Sequence, residues 1–197
     1  MTDPRLERWL EALVATPGLT SVRDPAEARR VHLEDSLSAL ETVRRFGGSV
    51  VDVGSGGGAP GIPLAAAFPE REVTLLESSH RKCAFLERWI AELPNLRVVC
   101  GRAEEQPVDT YGVAVAKALA PPPVAAEWCL PLVVPGGAAV LFVGPSAESA
   151  RVAAVAERLA AELVESPPGL FVLRKVGPTP PGFPRRPGIA RKRPPRS

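Results

Sequence analysis

Two periods of apolar and polar positions run along this chain. Leu6, Trp9, Leu10, Leu13 and Val14 recur at three- and four-residue intervals, the stripe of an amphipathic helix over residues 5–14. Pro17-Gly18 ends it. Asp24-Pro25 opens a second helix, with Asp24 as N-cap and Pro25 at the first helical position. This helix carries AEARRVHLEDSLSALETV, with a break expected near His32. From residue 50 onward short apolar runs take over. Residues 50–53, 73–76, 96–100, 113–116, 137–143 and 170–176 read as strands. Between them, the residues up to Phe68, then 80–93, the segment through Trp128 and the Ala-rich 147–163 read as helices. Strand and helix alternating five times predicts parallel strands with crossover helices on both faces. The expected architecture is one α/β, doubly wound, Rossmann-like domain. Residues 1–46 form an N-terminal helical cap, 47–176 the α/β core, and 177–197 a Pro-rich basic C-terminal arm.

The first strand runs into VVDVGSGGGAPG, where two overlapping glycine registers fit: Gly54-x-Gly56-x-x-Ala59 and Gly56-x-Gly58-x-x-Gly61. Both follow a strand and precede a helix, the context that gives such a loop meaning. Glu77 ends the second strand, where a carboxylate accepts hydrogen bonds from ribose hydroxyls. An adenosine-containing ligand is therefore expected at the first strand-to-helix turn. The loop alone leaves open a nicotinamide cofactor and S-adenosylmethionine. Asp52 weighs toward the second, because a buried carboxylate repels a pyrophosphate and attracts the α-ammonium of methionine. Capping of a neighbouring amide by Asp52 stays open as well. Pro60 removes an N–H that a phosphate would use. At the end of the third strand, in CGRAEE, Glu104 or a backbone amide near Ala103 is placed to meet the adenine.

Composition fits a globular chain with one core: 197 residues, 45% apolar and 23% charged. No apolar run approaches the length of a membrane span. Acids among the first residues and no signal-like apolar stretch predict a cytoplasmic protein. Cys83, Cys100 and Cys129 are odd in number and widely spaced, so buried thiols are expected rather than a disulfide or a metal site. Residues 171–197 hold eight basic side chains and no acid, against 16 basic and 22 acidic elsewhere. That asymmetry predicts a polyanionic partner met at one edge, with Arg185, Arg186, Arg191, Lys192 and Arg193 as the RNA-binding candidates.

The acceptor is narrowed by what the fourth strand lacks. Methylation at C5 of a pyrimidine needs a cysteine nucleophile, and KALAPPP has none. An exocyclic amine is usually held by an Asn/Asp-Pro-Pro-aromatic motif, which APPP at residues 120–123 does not match. A ring nitrogen such as guanine N7 carries a lone pair and no proton, so in-line positioning suffices without a general base. A nicotinamide oxidoreductase is disfavoured because the one tyrosine, Tyr111, has no YxxxK pattern.

Five stretches together carry a family pattern: LTSVRDPAEARRVHLEDSL, DVGSGGGAPGIPLA, TLLESSHRKCAFL, GRAEE and PTPPGFPRRPGIARKRP. They resemble the RsmG family (GidB, glucose-inhibited division protein B), bacterial 16S rRNA guanine-N7 methyltransferases, from Leu19 onward. The resemblance implies a class I methyltransferase fold with a mostly parallel sheet of seven strands. It implies S-adenosyl-L-methionine as cofactor and a guanine in the decoding-region loop of 16S rRNA, free or in the small ribosomal subunit, as substrate. A monomer that needs no metal and no membrane is expected. By position, Gly54, Gly56 and Ala59 would line the cofactor, Glu77 would hold its ribose, and Ala103 and Glu104 would sit at the adenine. Lys117 stands where the family usually has arginine, and would meet the cofactor carboxylate or an RNA phosphate. There a planar fork becomes a point charge on a flexible stem. Gly18 replaces a usual asparagine, and LFVGPS lacks a lysine often found before its glycine. The alternative is a protein of this fold that binds RNA and cofactor with weak or lost transfer.

Overall fold

The computed structural model describes residues 3–164 and 166–193. Two layers of helices sandwich one sheet. The helices are α1 (Pro4–Ala15), α2 (Pro25–Ala28), α3 (Asp35–Leu37), α4 (Leu40–Arg44), α5 (Gly61–Ala67), α6 (His80–Glu87), α7 (Pro122–Cys129), α8 (Ser149–Arg158) and α9 (Ile189–Lys192). The strands are β1 (Val50–Val53), β2 (Val73–Glu77), β3 (Leu96–Cys100), β4 (Tyr111–Ala116), β5 (Val133–Phe142), β6 (Ala161–Val164) and β7 (Leu170–Lys175). Their order across the sheet is β3-β2-β1-β4-β5-β7-β6, parallel except for β7, which runs antiparallel to both neighbours. The sheet is the seven-stranded, mostly parallel one expected.

One expectation fails inside it. The Ala-rich stretch read as a single helix to residue 163 stops at Arg158. Ala160 takes a positive φ of 52° and the chain turns back as β6. Ala161-Glu162-Leu163-Val164 has helix-forming composition, but pairing with β7, Leu163 opposite Leu173, overrides it. The helix read over 80–93 is likewise shorter, with tight turns from Arg88 to Leu93 closing on Trp89.

β1 lies inside the sheet between β2 and β4, and its side chains alternate between the layers. Val50 joins Val73, Leu75, Val113 and Val115 against α1, α5 and α6. Val51 and Val53 join Leu76, Ala114 and Leu141 against α7 and α8. Asp52 shares the parity of Val50 and is buried toward the first layer.

The N-terminal cap is built as its sequence signals indicate. Asp24 accepts from the Glu27 amide at 2.8 Å, with Pro25 in the first helical position. The expected break near His32 is a π-helical stretch, Arg29–Glu34. The cap is fastened to the core by α1: Trp9 is fully buried, and its indole N–H donates to the Gly57 carbonyl at 2.8 Å.

The cysteines depart from expectation. Cys83 and Cys100 form a disulfide, their Cα atoms 5.9 Å apart, and Cys100 is exposed rather than buried. β3 pairs with β2 so that Cys100 stands opposite Glu77, and α6 starts just after Glu77. Topology, not spacing along the chain, brings the two sulfurs together. Cys129 is the buried free thiol expected.

Because Trp9 joins the cap to the glycine loop, replacing it removes core volume and a hydrogen bond at once. Trp9→Ala is expected to lower unfolding free energy by about 3–5 kcal/mol in urea denaturation. A loss under about 1 kcal/mol would show that α1 is dispensable to the core.

Candidate active site

The loop after β1 is held from outside because glycine offers no side chain. The amides of Gly54 and Ser55 donate to the Leu76 carbonyl at 2.8 and 3.1 Å. Gly54 and Gly56 have φ of 74° and 58°, a region where other residues pay a steric cost. Glu77, nearly buried at the end of β2, braces both sides of the turn. One carboxylate oxygen accepts from the Gly56 amide at 2.9 Å, the other from the Ser79 amide at 2.9 Å. Asp52 Oδ2 accepts from the Gly61 amide at 3.0 Å, at the start of α5. Its Oδ1 is buried without a hydrogen-bond partner among the described residues. Ala59 packs against the first core layer.

Beside this loop opens a cleft of about 260 Å³ at the carboxyl ends of the strands. Gly54, Ala103 and Glu104 line it together with Leu119 and Trp128. The arm supplies its remaining wall. The Gly188 amide donates to Glu104 Oε1 at 3.1 Å. The Arg191 guanidinium lies 5.2 Å above the Trp128 ring and donates to the Leu119 carbonyl at 3.3 Å. Asp52, Gly56, Ala59, Glu77 and Lys117 do not line the cleft; they stand around it.

Lys117 follows β4 and is mostly buried. Its ammonium pairs with Asp35 Oδ2 at 2.9 Å and donates to the Val31 carbonyl. The point charge at this position therefore ties the cap's π-helical stretch to the end of the fourth strand. In the same stretch, His32 Nε2 shares a 2.8 Å hydrogen bond with Thr20 Oγ1.

The model for GidB, rRNA small subunit methyltransferase G, matches residues 5–166. The chain belongs to this family. A ribosomal RNA small subunit methyltransferase G from Pelotomaculum thermopropionicum is 37% identical, the match covering 89% of this chain and 82% of that one. One from Salinispora arenicola is 44% identical, covering 75% and 67%. One from a Synechococcus strain is 35% identical, covering 91% and 78%. Among solved structures, a 16S rRNA N2 G1207 methyltransferase of T. thermophilus, in complex with AdoMet and guanosine, superposes with a TM-score of 0.56. It is 22% identical, with 84% of this chain and 43% of that chain covered. A SAM-dependent O-methyltransferase from Thermotoga maritima gives 0.56 at 16% identity, with 73% and 65% covered. These two show the fold, that of class I methyltransferases.

In this member of the GidB family the basic arm is not one uniform charge. Arg174 pairs with Glu162 across the β6–β7 edge. Lys175 is buried, donating to the Leu130 carbonyl and Thr179 Oγ1, both at 2.9 Å, with Asp109 nearby. Arg185 forks onto the carboxylate of Glu127, itself buried in α7. Arg186, Lys192 and Arg193 are exposed, and Arg196 lies outside the described residues. Charge counting in the sequence thus merged structural ions with solvent-facing ones. It also passed over Glu127, Trp128 and Asp35. Two signals pointed to the first two: an acid in an otherwise apolar helix, and a tryptophan beside it.

Burial pushes the Asp52 carboxyl up to about 7, against the opposing pull of the Gly61 amide. The folded state therefore holds this proton more tightly than the unfolded chain, whose carboxyl titrates near 3.8. The resulting stability is present in full below that lower value and is lost as pH rises toward 7. Between the two, wild-type stability should fall relative to Asp52→Asn by about 1.4 kcal/mol per pH unit. Denaturation of both proteins at pH 4.5, 6 and 8 checks this. Parallel stability curves would show that Asp52 titrates normally.

Proposed function

We propose that this chain transfers the methyl group of S-adenosyl-L-methionine to N7 of a guanine in 16S rRNA. Family membership supports the reaction class. The observation that carries the site is the strand-end cleft where Gly54, Ala103, Glu104 and Trp128 meet beside a glutamate-braced glycine loop. Its residues fit the cofactor. Leu76, Ala103, Leu119 and Trp128 give apolar walls for an adenine, and Glu104 gives an acceptor at its edge. Gly54 and Gly56 keep the turn open, and Glu77 stands beside it for the ribose. Asp52 offers a buried carboxylate behind the loop, toward the cationic end. When bound, the cofactor supplies an electrophilic methyl group on a sulfonium.

The protein's own task is to position and to exclude water. N7 brings a lone pair and loses no proton, so no base is required. The residues agree with that economy. No histidine or cysteine lines the cleft among the described residues. Cys129 is fully buried and burial raises its thiol far above neutrality, so it offers no thiolate to a pyrimidine. His32 is bonded to Thr20, and burial followed by the charge of Lys117 pulls it below its ordinary value. Among the described residues no helix is long and apolar enough to cross a membrane.

Purified protein with labelled cofactor should place 7-methylguanine in 16S rRNA taken from cells lacking that mark. Mass spectrometry of nuclease digests reads the product, with naked rRNA and small subunits assayed in parallel. Cofactor binding without 7-methylguanine on either substrate would overturn the reading in favour of a non-catalytic RNA-binding protein.

The exposed charges of the arm should carry phosphate contacts. Replacing Arg186 and Lys192 together with alanine is expected to lower the salt slope of rRNA binding by about one to two. An unchanged slope in a salt titration would remove the arm from the interface.

A further inference from the structure

We propose that residues 183–193 form a flap over the adenosine end of the cleft, and that cofactor occupancy holds this flap in the position that presents its exposed cations to rRNA. The inference rests on the cofactor assignment made above.

The arm is fixed at its base and lightly held at its tip. At the base, Thr179 donates to Asp109 through both its amide, at 3.1 Å, and its hydroxyl, at 2.8 Å. Further on, Arg185 forks onto buried Glu127 and also donates to the Arg193 carbonyl at 3.1 Å. Beyond Arg185 the contacts thin out. Among the described residues there, Ala190 alone is buried. The tip then touches both walls of the cleft: Gly188 reaches Glu104 on one side, and Arg191 covers Trp128 and meets the Leu119 carbonyl on the other. Gly188 takes a φ of 80°, so the chain turns sharply at the cleft's rim.

A ligand in this cleft lies between Glu104 and Trp128 and under Arg191, so it contacts the closed flap and loses those contacts when the flap opens. That difference in contact is what lets a ligand shift a population. The same eleven residues carry Arg186, Lys192 and Arg193 exposed to solvent. One short segment thus serves as wall to the cofactor and surface to the RNA. The coupling is reciprocal: whatever factor the cofactor adds to rRNA affinity, rRNA adds to cofactor affinity. Arg191 acts here as a cofactor contact, and the Arg185–Glu127 pair as positioning residues.

The test uses the full chain, S-adenosylhomocysteine as the probe, and small subunits lacking the methyl mark. In the wild type, saturating probe should slow trypsin cleavage after Arg191 and Lys192. It should also tighten small-subunit binding about fivefold or more, within the ordinary span of such couplings. Arg191→Ala should weaken probe binding roughly tenfold, by loss of a cation over the aromatic wall, and bring the coupling close to one. Its thermal midpoint should match the wild type, because the side chain is exposed. Glu127→Gln, which frees the anchor, should give the same loss of coupling and open the arm to trypsin with or without probe. Equal trypsin rates with and without saturating probe, or equal small-subunit affinity, would overturn the flap. Failure of the wild type to bind the probe at all would instead overturn the cofactor assignment, and the flap with it.

Discussion

A glycine loop cannot hold itself, and this molecule is arranged around that constraint. The turn from Gly54 to Gly58 uses backbone angles that only glycine adopts without cost. One bond closes within it, from the Gly58 amide to the Ser55 carbonyl at 2.7 Å, and polar groups from the surrounding elements hold the rest. Leu76 of β2 takes the first amides, Glu77 takes the Gly56 amide, and Trp9 of α1 donates to the Gly57 carbonyl. Hydrogen bonds to a charged group contribute about 1.5–3 kcal/mol each, so Glu77 is the strongest single brace. It also ties the loop to the start of α6 through Ser79. The cap, the sheet and the helix after β2 meet at one turn, beside the cleft that Gly188 and Arg191 of the arm help to line.

The same turn explains why a carboxylate sits in the core. Asp52 faces the first layer, where Gly61 begins α5 close against it. A methyl group added to Gly61 would meet Leu75 Cδ2 at 2.3 Å and Asp52 Oδ2 at 2.8 Å. The helix therefore starts close enough for its amide to reach the acid, and only glycine allows that approach. One carboxylate oxygen is satisfied and the other is not. A buried acceptor left open costs about 1–3 kcal/mol. That cost falls on a side chain that is buried behind the loop and does not line the cleft.

Much of this was legible in the sequence because local signals and fold agree. Asp24-Pro25 marks a helix start, alternating apolar runs mark the strands, and the loop with Glu77 marks the first turn. The errors have a common cause. Residues 161–163 look helical and become strand because they pair with β7 at the sheet edge. Cys83 and Cys100 look unrelated and become bonded because β3 lies beside β2. Apart from these errors, the Lys117 ammonium reaches back more than eighty residues to Val31 and Asp35, a tie that spacing along the chain does not show. In each case the deciding neighbour is distant along the chain, where periodicity and spacing carry no information.

The arm shows how far charge counting can mislead. A run of basic residues without acids reads as one electrostatic surface, yet its members face different environments. Lys175 is buried among a carbonyl, a hydroxyl and Asp109, and burial lowers its ammonium below the ordinary lysine value. Arg185 neutralises Glu127, and taking one partner from a buried pair costs about 3–5 kcal/mol because the other charge is left stranded. Substituting Arg185 therefore perturbs the arm's position before it perturbs any phosphate contact. Arg186, one residue further, carries no such obligation in this structure and reports on the solvent face alone. Two adjacent arginines, alike in sequence, thus differ in place: Arg185 is anchored on a buried acid and Arg186 is exposed to solvent.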